Sequence, residues 1–214
     1  MTLLHDVYAA LSGTVQQLGD EEQWVVTGCT GWTVRDLVWH LHADAVRGLV
    51  AAHTPARRPA DCDAVAYWRS WGSDPRADDR TRRLTRVEAG LHEFSVLRER
   101  YLEAAAAASR AVSALPDDEV VATQGHAIRA ADLASTLAVE ATLHHGDLVA
   151  HLEGSPAGPT ASGLAEVRHV VEALLPAVLP GWSDERVALV GTGRAAPTPE
   201  EREALGDARL PVFS

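Results

Sequence analysis

Apolar side chains recur every three to four residues along most of the chain, the spacing that places them on one face of an α-helix. In the first quarter this repeat predicts a helix over residues 2–18. A second helix is predicted over residues 33–53, because the Thr33 hydroxyl and the Asp36 carboxylate can form a capping box at its start. Two long amphipathic helices are therefore expected before the first long connection.

The same repeat continues in three later segments. Residues 83–115, which include an alanine run, are predicted as the longest helix, residues 130–152 as a fourth helix and residues 161–179 as a further one. Residues 54–80 are interpreted as a long connection with at most one short helix, a length typical of a lid or a crossover. The pattern is that of a helical bundle.

Strict alternation of apolar and polar residues is nearly absent until the end of the chain. The apolar run at 187–190 predicts one short strand, and a helical turn is expected near 200–205. We therefore expect an all-α fold: a four-helix bundle over residues 1–153, with a short carboxy-terminal α(+β) extension over residues 154–214 packed on it. Bundles of this kind build cofactor sites from side chains on facing helices.

Charge and composition narrow the possible functions. Thirty acidic residues against nineteen basic ones give a formal net charge of -11, which disfavours binding to nucleic acids or anionic membrane surfaces. Every basic residue is arginine, so lysine chemistry is excluded. With only two cysteines, no secretion signal and no long apolar run, we expect a reduced, cytoplasmic protein rather than a disulfide-stabilised or membrane-spanning one.

Candidate chemistry is concentrated in the fourth predicted helix. Glu140 and His144 are four residues apart and project from one face, and Asp147 follows three residues later. If an imidazole from a facing helix meets them, the result is a metal site with two histidines, one carboxylate and an open coordination position. Asp147 could then accept the second N–H of a ligating histidine. The alternative is an ordinary Glu–His pair on a helix surface.

The second helix offers two histidines for the facing position. On a helical wheel His42 lies within the apolar arc, whereas His40 lies on its flank with Asp44 and Arg47. Periodicity alone therefore favours His42 as the buried imidazole. Either histidine could equally be a core side chain with a neighbouring hydrogen-bond partner.

Two motifs resemble a known family. The segment Gly31-Trp-Thr-Val-Arg-Asp-Leu-Val-Trp-His-Leu41, preceded by Cys29, and Glu140-x-x-x-His144-x-x-Asp147 are similar to those of the amino-terminal domain of mycothiol-dependent maleylpyruvate isomerases, within the DinB-like superfamily. Members of that family are metal-binding four-helix bundles. The resemblance implies His40, Glu140 and His144 as the metal ligands, usually of zinc, and so favours His40 over His42.

The resemblance also implies a reaction. A zinc site of this kind would activate a low-molecular-weight thiol, mycothiol in the family, for addition to a small electrophilic substrate, giving S-transfer or cis–trans isomerisation. The isomerases have a larger carboxy-terminal domain that contributes an active-site arginine. Here Arg194 is the candidate for that role, with Asp147 as its catalytic companion, and the alternative is a solvated arginine in a Gly-Thr-Gly-Arg turn. Arg47 is a second candidate to bind a substrate carboxylate.

Cys29 is expected to be a small buried apolar side chain rather than the reactive thiol.

Two other interpretations of the function remain open. One alternative function is a zinc hydrolase that activates water on the same site, with Asp147 or Asp44 as the helper. The other is a non-catalytic metal-binding bundle whose partner face, or homodimer face, includes Trp39, Trp68 and Trp71. Trp24 and Trp32 are expected to seal the bundle end, and Trp68 and Trp71 to anchor the long connection.

Overall fold

The computed structural model describes residues 2–70, 75–154, 156–175 and 179–213. Within these residues the regular structure is helical except for one antiparallel hairpin. The elements, in chain order, are α1 (Leu3–Gln17), α2 (Val34–Ala52), α3 (Ala64–Arg69), α4 (Pro75–Gly90), α5 (Phe94–Ser113), β1 (Val120–Thr123), β2 (His126–Arg129), α6 (Ala130–Val149), α7 (Ala161–Leu174), α8 (Asp184–Gly191) and α9 (Pro199–Leu205).

Four of these helices form the predicted bundle. Both α1 and α2 pack against α5 and α6, which closes a ring of four helices around one apolar core. The start of α2 has the expected capping box, in which the Thr33 backbone N–H and hydroxyl both donate to Asp36 Oδ2 at 2.9 Å. The all-α fold class with a short carboxy-terminal extension is thereby confirmed.

The single long helix predicted over 83–115 is wrong, because two helices, α4 and α5, occupy this region and α4 already begins at Pro75. Between them the chain turns, and Leu91, an apolar residue inside the predicted helix, is 70% exposed. The Arg35 guanidinium fixes this break by donating to Ala89 O at 2.8 Å and His92 O at 2.7 Å. The buried guanidinium thus donates to carbonyl oxygens that would accept backbone hydrogen bonds in a continuous helix.

The predicted strand at 187–190 is also wrong, because this run lies inside α8. Ser183 caps that helix by accepting a hydrogen bond from the Arg186 backbone N–H at 3.1 Å, and acidic residues occupy the first turn. The strands lie instead at β1 and β2, paired from Val120 opposite Arg129 to Thr123 opposite His126. Their two-residue turn has positive φ at both central positions, 47° and 86°, which is typical of a type I′ hairpin.

The carboxy-terminal segment packs on the outer face of α6. Val139 and Leu143 of α6 join a second apolar cluster with side chains of α7, α8 and the chain end. Trp68 of α3 is buried in the same cluster, with its ring centroid 4.6 Å from that of Phe213. Trp68 therefore anchors the long connection, as expected, and is not part of an exposed partner face. Trp71 lies outside the described residues.

The two tryptophans near the start of α2 differ in burial. Trp32 is 7% exposed and closes the bundle end, as predicted. Trp24 is 61% exposed, so its predicted sealing role is wrong. Its ring lies instead against the outer side of Arg35, whose guanidinium carbon is 4.7 Å from the ring centroid.

Candidate metal centre

The loop before α2 is held closely against α6. The Gly28 backbone N–H donates to Asp147 O at 2.8 Å, and a Cβ at Gly28 would lie 2.7 Å from Asp147 Oδ1. Only glycine allows this approach, which brings the following Cys29 and Trp32 next to α6. The Trp32 ring then packs over His40, with centroids 5.0 Å apart. The loop thus covers one side of the histidine.

Three side chains from two facing helices bring their donor atoms together inside the bundle. Glu140 Oε1 lies 2.9 Å from His40 Nε2 and 3.3 Å from His144 Nε2. One ligand atom from each of the three residues lies within 4.8 Å of the others, and the side chains are 12–21% exposed. We refer to His40, Glu140 and His144 as the His–Glu–His cluster. The structure therefore brings together the three residues that the resemblance implied as ligands.

The spacing within the His–Glu–His cluster suits a small divalent cation. Tetrahedral ligands at the usual zinc distances are about 3.4 Å apart, within about half an ångström of the two spacings to Glu140 Oε1. Two imidazole nitrogens and one carboxylate oxygen are also the donor set of zinc sites that keep one position open. The residues therefore fit a zinc ion.

Ionisation within the cluster is strongly perturbed. Burial alone would lower the pKa of His144, but the neighbouring Cys29, Glu140 and Asp147 outweigh burial and hold that pKa well above its ordinary value. Burial opposes ionisation of Glu140, yet His144 and His40 keep its pKa well below the usual range. Burial lowers the pKa of His40. Without metal, His144 is therefore an imidazolium between two carboxylates, and His40 is neutral.

Asp147 fixes the other edge of the His144 ring. His144 Nδ1 donates to Asp147 Oδ2 at 3.0 Å, while Arg194 donates to the same carboxylate from Nε at 2.9 Å and from Nη2 at 2.8 Å. Burial opposes ionisation of Asp147, but His144 and Arg194 hold its pKa well below the usual range. The Arg194 side chain is only 19% exposed, so it is not a solvated turn residue. The tail thus contributes an arginine to the centre.

Cys29 was missed as a member of this centre. The side chain packs against the apolar core, as expected, but its Sγ also donates to Asp147 Oδ2 at 3.2 Å and lies 3.5 Å from His144 Nδ1. Cys29, His144 and Asp147 form a second group whose ligand atoms also lie within 4.8 Å. However, the Arg194 guanidinium already neutralises Asp147 through both oxygens, which disfavours a second cation there. Cys29 precedes the family-like segment, but no spacing within that segment indicates its role, because its polar contacts are with α6, far along the chain.

Comparison with known proteins agrees with this arrangement. A family model described as the mycothiol maleylpyruvate isomerase N-terminal domain matches residues 4–149. The chain belongs to this family. The match covers the whole bundle from α1 to the end of α6, including every residue of the His–Glu–His cluster, and leaves out the tail that carries Arg194. No curated protein and no solved structure matches the chain.

The neighbouring histidines on α2 and α6 lie outside the His–Glu–His cluster. His42 is partly exposed at the α2–α5 edge, where its Nδ1 lies 3.1 Å from Arg100 O and its ring 5.3 Å from that of Trp39. The wheel was wrong for His42 because the apolar arc of α2 continues to that edge. His145, the neighbour of His144, points away and bonds Thr14 Oγ1 at 2.8 Å.

The two remaining candidates on α2, Asp44 and Arg47, form a pair beyond His40. Asp44 is 7% exposed, and its Oδ1 accepts a long hydrogen bond of 3.4 Å from Arg47 Nη1. The Arg47 side chain is 39% exposed.

Across the described residues, every helix is too short or too polar to span a membrane.

Proposed function

We propose that the chain binds zinc through His40, Glu140 and His144 and uses it to activate a low-molecular-weight thiol, such as mycothiol, for addition to a small electrophilic substrate. The outcome is S-transfer or cis–trans isomerisation. The observation that carries the proposal is the convergence of these three donor atoms in a member of a mycothiol-related family.

The surrounding residues prepare the cluster for a cation. By accepting from His144 Nδ1, Asp147 keeps the proton on that nitrogen, so that Nε2 is the atom that gives up its proton and coordinates the cation. Arg194 keeps Asp147 ionised for this purpose. The Nη1 group of Arg194 forms no hydrogen bond within the described residues and is available to a substrate carboxylate. A zinc ion, when bound, supplies a Lewis acid that lowers the pKa of a thiol ligand.

The geometry favours a thiol from outside the chain. Cys29 lies on the Nδ1 side of the His144 ring, whereas the cluster forms on the Nε2 side. Because the two ring nitrogens point in diverging directions, Cys29 Sγ cannot join His144 Nε2 in one coordination sphere without a rearrangement. Cys62 is buried against the Asp63 carbonyl at the start of α3. A cosubstrate thiol is therefore the simpler source of sulfur.

The test combines metal content with thiol dependence. Elemental analysis of the purified protein should find near-stoichiometric zinc, lost in His40→Ala and retained in the matched control His42→Ala on the same helix. The zinc form should then convert an electrophilic acid only in the presence of mycothiol, which S-transfer consumes and isomerisation regenerates. Turnover that needs no thiol would favour the hydrolase, and zinc retained in His40→Ala would contradict the ligand set.

A further inference from the structure

An apolar stripe runs along the outer face of α4. Among the side chains that the structure describes for this helix, only Thr85 and Ala89 are buried, on the side that packs on α2. Leu84 and Val87 lie on the opposite face, and Leu91 continues their spacing just after the helix ends. These three side chains are 51%, 61% and 70% exposed. Within the described chain, this face of α4 is therefore left uncovered.

The stripe continues across a groove onto the segment before α2. Trp24 of that segment and Val87 of α4 line one groove of about 600 Å³. Val26 pairs with Thr33, which lines the same groove, and Trp24 and Val26 are both 61% exposed. Five of the eight large apolar side chains that are exposed in the described chain thus lie together, and we refer to them as the α4 surface: Trp24, Val26, Leu84, Val87 and Leu91. Such a concentration is typical of an interaction site on a soluble protein.

Positive charge surrounds the α4 surface, although the whole chain has a formal net charge of -11. The described side chains of α4 include only two acidic residues, Asp79 and Glu88. Arg83 pairs with Asp79 at 2.6 Å, but this pair is largely exposed, so it contributes little and leaves Arg83 accessible. Arg86 forms no hydrogen bond or ion pair with any described residue. The exposed arginines of this helix are Arg80, Arg82, Arg83 and Arg86.

Arg35 adds a further positive charge to the same groove. It is only 9% exposed, and its guanidinium donates to uncharged oxygens, those of Gln23, Ala89 and His92. Its Nε–H has no acceptor in the described part of the chain. Asp36 is the one described acidic residue that lines the groove, and its Oδ2 is already used in the capping box. A buried cation without a counter-ion favours the approach of an anion.

We propose that the α4 surface docks an acidic amphipathic segment of another protein. An apolar side chain of that segment enters the groove beside Trp24 and Val87, and its carboxylates pair with Arg83 and Arg86. Tryptophan and arginine are the residues that most often dominate the energy of such interfaces. Opposite charge on the partner speeds its association and selects it against basic or neutral segments.

The charge of the surface disfavours two other occupants. A symmetric contact with a second copy would bring the same face of both copies together, and would place the arginines of one α4 against those of the other. An anionic membrane would meet the arginines favourably, but the net charge of the chain repels it, and a concave groove suits an inserted side chain better than a flat bilayer.

The test measures the binding of a model segment to the full chain. We would titrate the protein into a fluorescein-labelled helical peptide with a leucine face and a glutamate face, and record the fluorescence anisotropy. The peptide should bind, and raising the ionic strength from about 0.1 M to about 1 M should weaken binding several-fold, because screening shortens the range of the charges. The same peptide with lysine in place of glutamate should not bind.

Matched variants locate the binding site. Val87→Asp should weaken binding about 10-fold or more. The control Val50→Asp introduces the same charge at a valine that is 59% exposed, against 61% for Val87, but that lies near the other end of α2, and it should leave binding unchanged. Arg86→Glu should likewise weaken binding, whereas Arg110→Glu on α5 should not.

A readout on the wild type requires no variant. The acidic peptide should slow amide hydrogen exchange in residues 84–91 and leave that of α7 unchanged. The proposal would be overturned if the acidic peptide failed to bind, if the lysine peptide bound equally well, or if Val87→Asp behaved like Val50→Asp. It would also be overturned if phosphatidylserine vesicles bound in place of the peptide, or if the protein alone formed a dimer that Val87→Asp abolished.

Discussion

Replacing Asp147 by asparagine removes one negative charge from the centre while keeping the side-chain volume. The carboxylate bonds His144 Nδ1, two nitrogens of Arg194 and Cys29 Sγ at 2.8–3.2 Å, and its side chain is 4% exposed. In Asp147→Asn the amide can still accept from one donor, but the Arg194 guanidinium loses its counter-ion. Both the stability of the fold and the affinity for metal should therefore fall.

Burial of the ion pair sets the expected loss of stability, and the contact with His144 sets the expected loss of metal affinity. Removing one partner of a buried ion pair costs about 3–5 kcal/mol, and because the Arg194 side chain is 19% exposed we expect the lower end, about 3 kcal/mol. Changing a residue that orients a ligating histidine weakens metal binding about 10- to 100-fold, or about 1.4–2.8 kcal/mol. Urea unfolding of the metal-free protein measures the first quantity, and zinc competition against a chelator measures the second.

Two comparisons make this prediction decisive. Asp147→Asn combined with Arg194→Met leaves neither charge buried, so part of the lost stability should return. Asp79→Asn removes an exposed carboxylate that is also paired with an arginine, Arg83, and should change neither stability nor zinc affinity. If Asp147→Asn behaved like Asp79→Asn in both measurements, the argument that Asp147 positions His144 would be refuted.

Three further predictions concern protons and packing. Because the pKa of His144 is raised in the metal-free protein, zinc must displace its proton. Calorimetry in buffers of different ionisation enthalpy should detect this proton release, and the affinity for zinc should fall as pH falls. Because burial lowers the pKa of His145 to about 4, its contribution to stability is complete above the unfolded pKa near 6.5 and is lost as pH falls towards 4. His145→Gln should therefore reduce the change in the free energy of unfolding between pH 4 and 7, measured with urea, by up to about 3 kcal/mol. Gly191→Ala should destabilise the fold by about 1–3 kcal/mol in the same assay without changing zinc content, because the new Cβ would lie 2.4 Å from Val171 Cγ1.

The sequence predicted those parts of the fold that local rules govern. The capping box of α2, the long repeats of α1 and α6 and the short helix α9 all follow from spacing and caps within one segment. The break between α4 and α5 does not, because the cation that stabilises it, Arg35, lies in α2. The four-residue strands were too short to show alternation, and the apolar run of α8 does not distinguish a strand from a helix buried on one side.

The residues of the candidate site were likewise predictable where they share one helix and not where packing brings distant segments together. Glu140 and His144 are linked by helical spacing, so one segment was enough to nominate them. The choice of His40 over His42 came from the resemblance, since periodicity points to the apolar arc and not to the facing helix. The contacts of Cys29 with α6 depend on packing between distant segments, and no pattern within a single helix reports such contacts.

The most direct test of the account is the X-ray absorption spectrum of the zinc-loaded protein, recorded before and after addition of mycothiol. We predict nitrogen and oxygen neighbours only before the thiol is added, two of them imidazole nitrogens, and one sulfur neighbour afterwards. Sulfur present from the start would identify Cys29 as a ligand and contradict the His–Glu–His cluster. A spectrum that mycothiol leaves unchanged would contradict thiol activation at this centre.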